Sequence, residues 1–238
     1  MEFNFSTDWW QFLLMAVVSY LIGCFNFAVL IARLKHKDIT KMGSGNPGTM
    51  NMSREFGAWV GIVTFLLDCL KGGLPAVVSF FIYQGMTFAG TEVLVTDVTR
   101  FFCGMFVIVG HVFPVTMRFK GGKGVASTLG LMWLCLGVEN PWNLLIGLGV
   151  LATLLVTVTL FRYGSLCSLI YVSGMGAWQV VILLEKYAYA FSGYLIWSLL
   201  MIFAVITLVW VSHHKNLIKM FSGEEHVTSF FKKKKKAK

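Results

Sequence analysis

The sequence predicts an all-α membrane protein of seven transmembrane helices, with its N-terminus outside and its C-terminus in the cytoplasm. Three observations carry that prediction. First, 57% of the 238 residues are hydrophobic and only 13% are charged, against about 45–50% and about 25% in an average soluble domain. Second, segments 12–31, 101–116 and 194–211 contain no Asp, Glu, Lys or Arg, and about 20 apolar residues span a bilayer core as a helix. Third, the basic residues alternate between loops in the manner that sets membrane orientation.

Taken in order, the spans are expected near 10–32, 58–83, 98–117, 121–137, 142–161, 164–184 and 189–212. The first does not read as a signal peptide, because no basic segment precedes it and no small-residue cleavage pattern closes it. The fourth is short. Seventeen helical residues rise about 25 Å, less than a core of about 30 Å. A re-entrant segment is the alternative there; acidic Glu139 beyond its end favours a full crossing. Of the 20 Lys and Arg, 17 fall in 33–57, 118–123, at Arg162 or after 212. Segments 84–97 and 138–141 have none, and 185–188 has only Lys186. Positive loops stay inside. The whole chain reads as one membrane domain, and residues 226–238 as a basic, disordered cytoplasmic tail whose lysines at 232–236 can sit on anionic lipid headgroups. The net charge of +9 is explained by this topology, so no nucleic-acid partner is inferred. The five cysteines lie in apolar stretches without CxxC spacing and imply neither disulfide nor metal.

Three polar segments break the apolar pattern, all on the expected cytoplasmic side. The first runs from Gly43 through Ser44, Gly45, Asn46, Pro47, Gly48 and Asn51 to Arg54. Its glycines allow backbone N–H groups to turn toward an anion, Ser44, Asn46 and Asn51 add neutral donors, and Arg54 can grip phosphate bidentately. A flexible surface loop is the bland alternative. The second contains Gly110, His111 and Pro114, then Lys120, Gly121, Gly122, Lys123 and Gly124 at the start of an apolar helix. A helix N-terminus favours phosphate. The spacing is not that of a Walker A loop, so nucleotide hydrolysis is not inferred. A topological anchor explains the lysines but not the glycines between them. The third holds His213, His214, Lys215, Asn216 and Lys219, then Gly223 and Glu225. Within the second span, Asp68 and Lys71 share a helix face and are expected to pair, since a bare intramembrane charge is expensive. Ser165, after Arg162 and Tyr163, sits where a helix N-cap is common. No His-x-x-x-x-Asp, Gly-x-Ser-x-Gly or metal-ligand spacing occurs.

At these residues the chain resembles the bacterial acyl-phosphate:glycerol-3-phosphate acyltransferases, the PlsY family. The likeness covers nearly the whole length. It rests on 44–48 with Asn51 and Arg54; on Asp68, Lys71 and Gly72; on Gly110, His111, Phe113, Pro114 and 119–126; on Arg162, Tyr163, Ser165 and Leu166; and on His213, Asn216, Gly223 and Glu225. Departures are Thr49-Met50 for Ala-Thr, and Leu217, Lys219 and Met220 for Ile, Arg and Leu. Lysine for arginine loses a bidentate fork. The resemblance implies transfer of a fatty acyl group from acyl phosphate to the 1-hydroxyl of glycerol 3-phosphate, giving lysophosphatidic acid and phosphate, without cofactor or metal. It implies a bacterial inner-membrane location, a cytoplasmic active site, membrane lipids as surroundings and a functional contact with the enzyme that makes acyl phosphate.

On that reading Lys123, His213 and Asn216 are the catalytic candidates. Ser44, Asn46, Asn51, Arg54, His111, Lys120, Gly121, Gly122, Gly124 and Ser165 would bind substrate. The leaving phosphate is expected at 120–124, and glycerol 3-phosphate near Ser44, Arg54, His213 and Asn216. The general base stays open between His213 and a substrate phosphate oxygen. A transporter for a phosphorylated metabolite is the competing class. It would typically show paired halves or broken midplane helices, and the sequence shows neither. A non-catalytic scaffold leaves the glycine spacing unexplained.

Overall fold

The computed structural model describes residues 1–161 and 163–223. Arg162, Glu225 and the basic tail at 226–238 lie outside them. Among the described residues the chain forms ten α-helices and one pair of two-residue strands. Helix α1 (Phe5–Cys24) begins at Asn4, whose side chain accepts from the Ser6 N–H, an N-cap that satisfies an orphan donor. It stops at Phe25, and α2 (Phe27–Leu34) restarts after Asn26. The first expected span is therefore not one continuous helix. Asn26 causes the restart, because its Oδ1 accepts from the Val29 N–H at 3.0 Å. A 3₁₀ turn (Ile39–Lys41) and helix α3 (Thr49–Phe56) lead into α4 (Ala58–Ile82).

Next come α5 (Val95–Val112), a 3₁₀ turn (Val115–Met117), α6 (Val125–Glu139), α7 (Asn143–Phe161), α8 (Gly164–Lys186), α9 (Gly193–Ser212) and the short α10 (His214–Phe221). Among the described residues, six stretches are long and apolar enough to cross a membrane: Phe5–Leu34, Ala58–Ile82, Val95–Met117, Asn143–Phe161, Gly164–Lys186 and Gly193–Ser212. Helix α6, at 15 residues, rises only about 22 Å. It starts four residues later than the sequence suggests. Residues 120–124 are not helical; they run back along the end of α5, with the Gly121 N–H donating to Val112 O and the Gly122 N–H to His111 O.

The loops sort into two ends. At one end, strand β1 (Glu2–Phe3) pairs in parallel with β2 (Thr87–Phe88), joining the N-terminus to the loop after α4. The same end holds a buried charge cluster. Asp97 and Arg100 at the start of α5 pair at 2.9 Å. Arg100 also pairs with Glu139 at the end of α6, and Lys186 at the end of α8 reaches Asp97 at 2.9 Å. Tyr187 donates to Asp97 Oδ2, and Ser198 of α9 donates to Asp97 O at 2.9 Å. At the other end lie 35–57, 113–124, the start of α8 and α10. Helix α6 thus reaches from the second group of loops to the first.

Helix α6 is held mainly by α4. A Cβ on Gly72 would stand 2.0 Å from Ser127 O, and one on Gly130 2.0 Å from Cys69 O. Only glycine admits that approach, and small residues at such contacts replace the hydrophobic drive that lipid cannot supply. The five cysteines are buried in the bundle.

Arg100 is fully buried, so removing it leaves two carboxylates with Lys186 as their one shared cation. Arg100→Met is expected to destabilise the bundle by about 3–5 kcal/mol. The measurement is the detergent-solubilised unfolding midpoint. A variant as stable as the parent would show that the cluster does not hold these four helices.

Candidate active site

The site end is assembled around the break between α1 and α2. Helix α1 ends with its last carbonyls facing into the bundle, where Lys71 of α4 meets them. Its ammonium donates to Phe25 O at 2.8 Å and pairs with Asp68 Oδ1 at 3.0 Å. Both side chains are buried. The expected Asp68–Lys71 pair is therefore present, and Lys71 has the added task of capping a helix end whose dipole favours a cation. A groove of about 400 Å³ opens beside it, lined by Leu21, Ile22, Phe25, Phe27 and Lys71.

One residue further on, Asn26 reaches the first polar segment, its Nδ2 donating to Pro47 O at 3.2 Å. Asn51 organises that segment from within. Its Oδ1 accepts from the Ser44 N–H at 3.0 Å, and its Nδ2 donates to Met42 O at 2.9 Å. Asn51 is 1% exposed, so it shapes the loop and does not present its amide to a ligand. Ser44 is exposed, and Asn46 and Arg54 are half-buried. Gly43 and Gly45 adopt positive φ of 54° and 71°, the left-handed turn that lets the loop close over Asn51. Asn26 escaped the sequence reading, although its signal was there: an amide inside an otherwise apolar run.

Asp68 also leads to the second segment. His111 Nδ1 stands 3.9 Å from Asp68 Oδ1, and the ring is buried behind the glycines. A Cβ on Gly122 would lie 2.2 Å from His111 Nε2, and one on Gly121 2.0 Å from His111 O. The glycines are needed for this contact. Their N–H groups are already given to α5 carbonyls and do not face an anion. The donors that a helix N-terminus leaves over are those of its first turn, here Val125, Ala126 and Ser127 after the left-handed Gly124 at φ 82°. Arg118 and Phe119, at φ 51° and 60°, reverse the chain toward that point. Lys120 is exposed and Lys123 half-buried.

The third segment meets the second at Lys123. Ser212 Oγ donates to Lys123 O at 2.9 Å. His213 follows, buried, with Nδ1 2.8 Å from Val209 O. A carbonyl can only accept, so Nδ1 carries the proton and Nε2 is left with its lone pair. Burial first, and the neighbouring Lys123 charge second, lower the imidazole to about 4, against a backbone hydrogen bond to Val209 that raises it. The ring is neutral at pH 7. Asn216 Nδ2 then donates to Ser165 Oγ at 2.7 Å, tying α10 to the start of α8. Lys123, His213, Asn216 and Ser165 are thus brought together. The 44–54 loop joins them through Asn26, Phe25, Lys71, Asp68, His111 and Gly122, each touching the next.

Comparison with known proteins gives the family. Residues 13–223 match the family model described as glycerol-3-phosphate acyltransferase. A glycerol-3-phosphate acyltransferase of Thermotoga petrophila is 36% identical over 94% of this chain and 99% of the relative. One of Mycoplasmopsis pulmonis is 31% identical over 91% and 93%. Among solved structures, the glycerol 3-phosphate form and the lysophosphatidic acid form of PlsY (YgiH), an integral membrane glycerol 3-phosphate acyltransferase, are similar. Each has a TM-score of 0.69 at 28% identity, covering 92% of this chain and 96% of the other. A family match over most of the chain, on a fold of apolar helices with these motifs gathered at one end, makes this chain a member of the glycerol-3-phosphate acyltransferase family, a multi-pass membrane acyltransferase.

Proposed function

We propose that the chain moves a fatty acyl group from acyl phosphate to the 1-hydroxyl of glycerol 3-phosphate, releasing phosphate and lysophosphatidic acid on the cytoplasmic face of a bacterial inner membrane. The observation that carries this is the meeting of Lys123 with the neutral His213 at the opening of α6, next to Asn216 and Ser165. One cation, free first-turn N–H groups and an imidazole lone pair are what a phosphate-leaving acyl transfer needs. Glycerol 3-phosphate and lysophosphatidic acid name the two solved forms of the similar PlsY, which supports the acceptor and the product. The groove beside Lys71 gives an acyl tail a path from the lipid. Seven crossings are supported by the reach of α6 from Val125 to Glu139, and the orientation by the basic loops at the site end.

In this mechanism the hydroxyl oxygen attacks the acyl carbonyl, and the bond from that carbon to the phosphate oxygen breaks. The hydroxyl proton leaves with the attack. An imidazole held to about 4 is a weaker base than a phosphate oxygen, whose second pKa is about 6. The proton therefore passes to a phosphate oxygen, while His213 Nε2 accepts from the other hydroxyl of the acceptor and so aims the attacking one. Lys123 and the Val125–Ser127 N–H groups take the charge that grows on the carbonyl and the departing phosphate. Ser44, Asn46 and Arg54 hold the phosphate of the acceptor, with Asn216 and Ser165 on its far side. Positioning two reactants in line is worth up to about 7–11 kcal/mol, so no protein nucleophile is required.

Sealed inside-out vesicles carrying the protein are expected to make lysophosphatidic acid when glycerol 3-phosphate and acyl phosphate are added outside, and right-side-out vesicles are not. Turnover of acyl-CoA with none of acyl phosphate would overturn the donor. Activity confined to right-side-out vesicles would overturn the orientation.

Lys123→Ala is expected to lower turnover about 10²–10³-fold, the loss typical of one preorganised donor. Lys120→Ala, at an exposed site, should lower it far less. Rates are compared at matched membrane levels. Near-normal turnover in Lys123→Ala beside a dead Lys120→Ala would move the phosphate to the loop before the glycines.

The state of His213 sets a pH dependence. Its folded value lies below the ordinary 6.5, so its neutral form, and the stability that goes with it, is complete above about 6.5. The stability is lost progressively between about 6.5 and about 4, whereas the folded ring gives up its neutral form only as pH nears about 4. The rate should accordingly show no His213 limb between pH 6 and 8. Removing the Lys123 charge should raise the His213 midpoint, burial keeping it below 6.5. Imidazole NMR titration of the parent and Lys123→Met reads both; a parent midpoint above 6.5 would refute the assignment.

A further inference from the structure

Helix α10 follows the last apolar span with only His213 between them. It therefore leaves the bundle at the level where a bilayer gives way to water. Its surface is divided. Leu217 packs against the bundle core, and Asn216 donates to Ser165. Ile218 and Phe221, three residues apart, are 65% and 84% exposed. Lys215 and Lys219, four apart, are exposed as well. At 100° per residue, Ile218 and Phe221 lie about 60° apart on one arc, with the exposed His214 ring between them and the two lysines on the adjoining flank. A helix in water has no use for two large apolar side chains on its outer face. A helix lying in a headgroup layer does, with its apolar face down and its lysines among the phosphates. The lysines choose the lipid: a basic residue near an anionic surface strengthens attachment about fivefold, and near a zwitterionic surface much less.

This surface also bears on the site. Eight residues are too few to hold a helix in water unaided. The order of α10 depends on the bundle on one side and on whatever covers Ile218 and Phe221 on the other. Asn216 is on the same helix, so what fixes α10 fixes the Asn216–Ser165 contact.

We propose that α10 is an interfacial helix that binds anionic lipid, and that this binding docks Asn216 onto Ser165 and couples acyl transfer to headgroup charge. The coupling to turnover rests on the function proposed above; the lipid binding and the docking do not.

The test uses the full chain in nanodiscs of phosphatidylcholine, with and without phosphatidylglycerol. Amide hydrogen exchange over 214–221 and turnover of glycerol 3-phosphate are measured in both. Phosphatidylglycerol is expected to slow exchange across α10 and to raise kcat/KM several-fold. Lys215→Gln with Lys219→Gln should abolish most of both responses while leaving turnover in phosphatidylcholine unchanged. Ile218→Ser with Phe221→Ser should keep α10 in fast exchange in either lipid, with exchange elsewhere unchanged. The proposal is overturned if exchange over 214–221 ignores phosphatidylglycerol. It is equally overturned if the lysine double variant keeps the full response, which would place the effect on the lysines at 232–238. If α10 responds as expected but no glycerol 3-phosphate is acylated in any disc, the proposed function fails and the lipid-binding helix stands.

Discussion

An ammonium inside an apolar bundle must be neutralised, and the way Lys71 is neutralised governs the site end. A lone charge at that depth is expensive even on the mildest scale. Asp68 cancels the charge, and Phe25 O takes a second N–H. That carbonyl is available because α1 stops there. The break frees Asn26 to cap α2 and to hold Pro47, which fixes the start of the first motif loop. Asp68 faces the other way, toward His111, on which the glycine loop lies. One ion pair thus stands between the two segments that would hold the two substrates. It meets the second through His111 and reaches the first only by way of Phe25 and Asn26.

The glycines of the second segment work differently from phosphate-cradling glycines. In a cradle, their N–H groups face the anion. Here the Gly121 and Gly122 N–H groups are spent on α5, and the value of glycine lies in its missing side chain. The loop can lie flat on the His111 ring, so that Lys123 arrives beside Ser212 and His213 and below the surface. At that depth a lysine acts in a drier medium than a surface lysine, where its charge is worth more. It also explains the short α6: the residues that would have completed the span are used to carry Lys123 inward.

Most of the fold was legible in the sequence because the signals are long. Charge-free runs and alternating loop charge located seven apolar segments, and six of the observed helices meet the length of a membrane span. The misplacements are local. The first span breaks at Asn26, and the fourth begins at Val125. Each depends on a partner far away in sequence, Lys71 in one case and the end of α5 in the other. The charge cluster of Asp97, Arg100, Glu139 and Lys186 was hidden for the same reason. Asp97 to Arg100 has the same spacing as Asp68 to Lys71, but Glu139 and Lys186 come from two other helices. Motif spacing named Lys123, His213, Asn216 and Ser165, and the fold brings these four together. Spacing could not tell that Asn51 and His111 act from behind, since burial is not written in a motif.

The asymmetry of the two ends follows from what each must do. At the strand end, Asp97 and Glu139 are matched against Arg100 and Lys186 in a cluster with no net charge. Four helices are fixed there, and nothing is left over to attract an anion. At the site end the balance is deliberately incomplete. Lys71 is matched by Asp68, whereas Arg54 makes no ion pair among the described residues. The loops of this end carry more basic than acidic residues, a balance that on the proposed function two phosphate groups would complete. If the donor is acyl phosphate, as proposed, the departing phosphate must still be released, which argues against surrounding it too completely. On that reading a few cations and one helix start, beside a neutral histidine, would bind two phosphates without trapping the product.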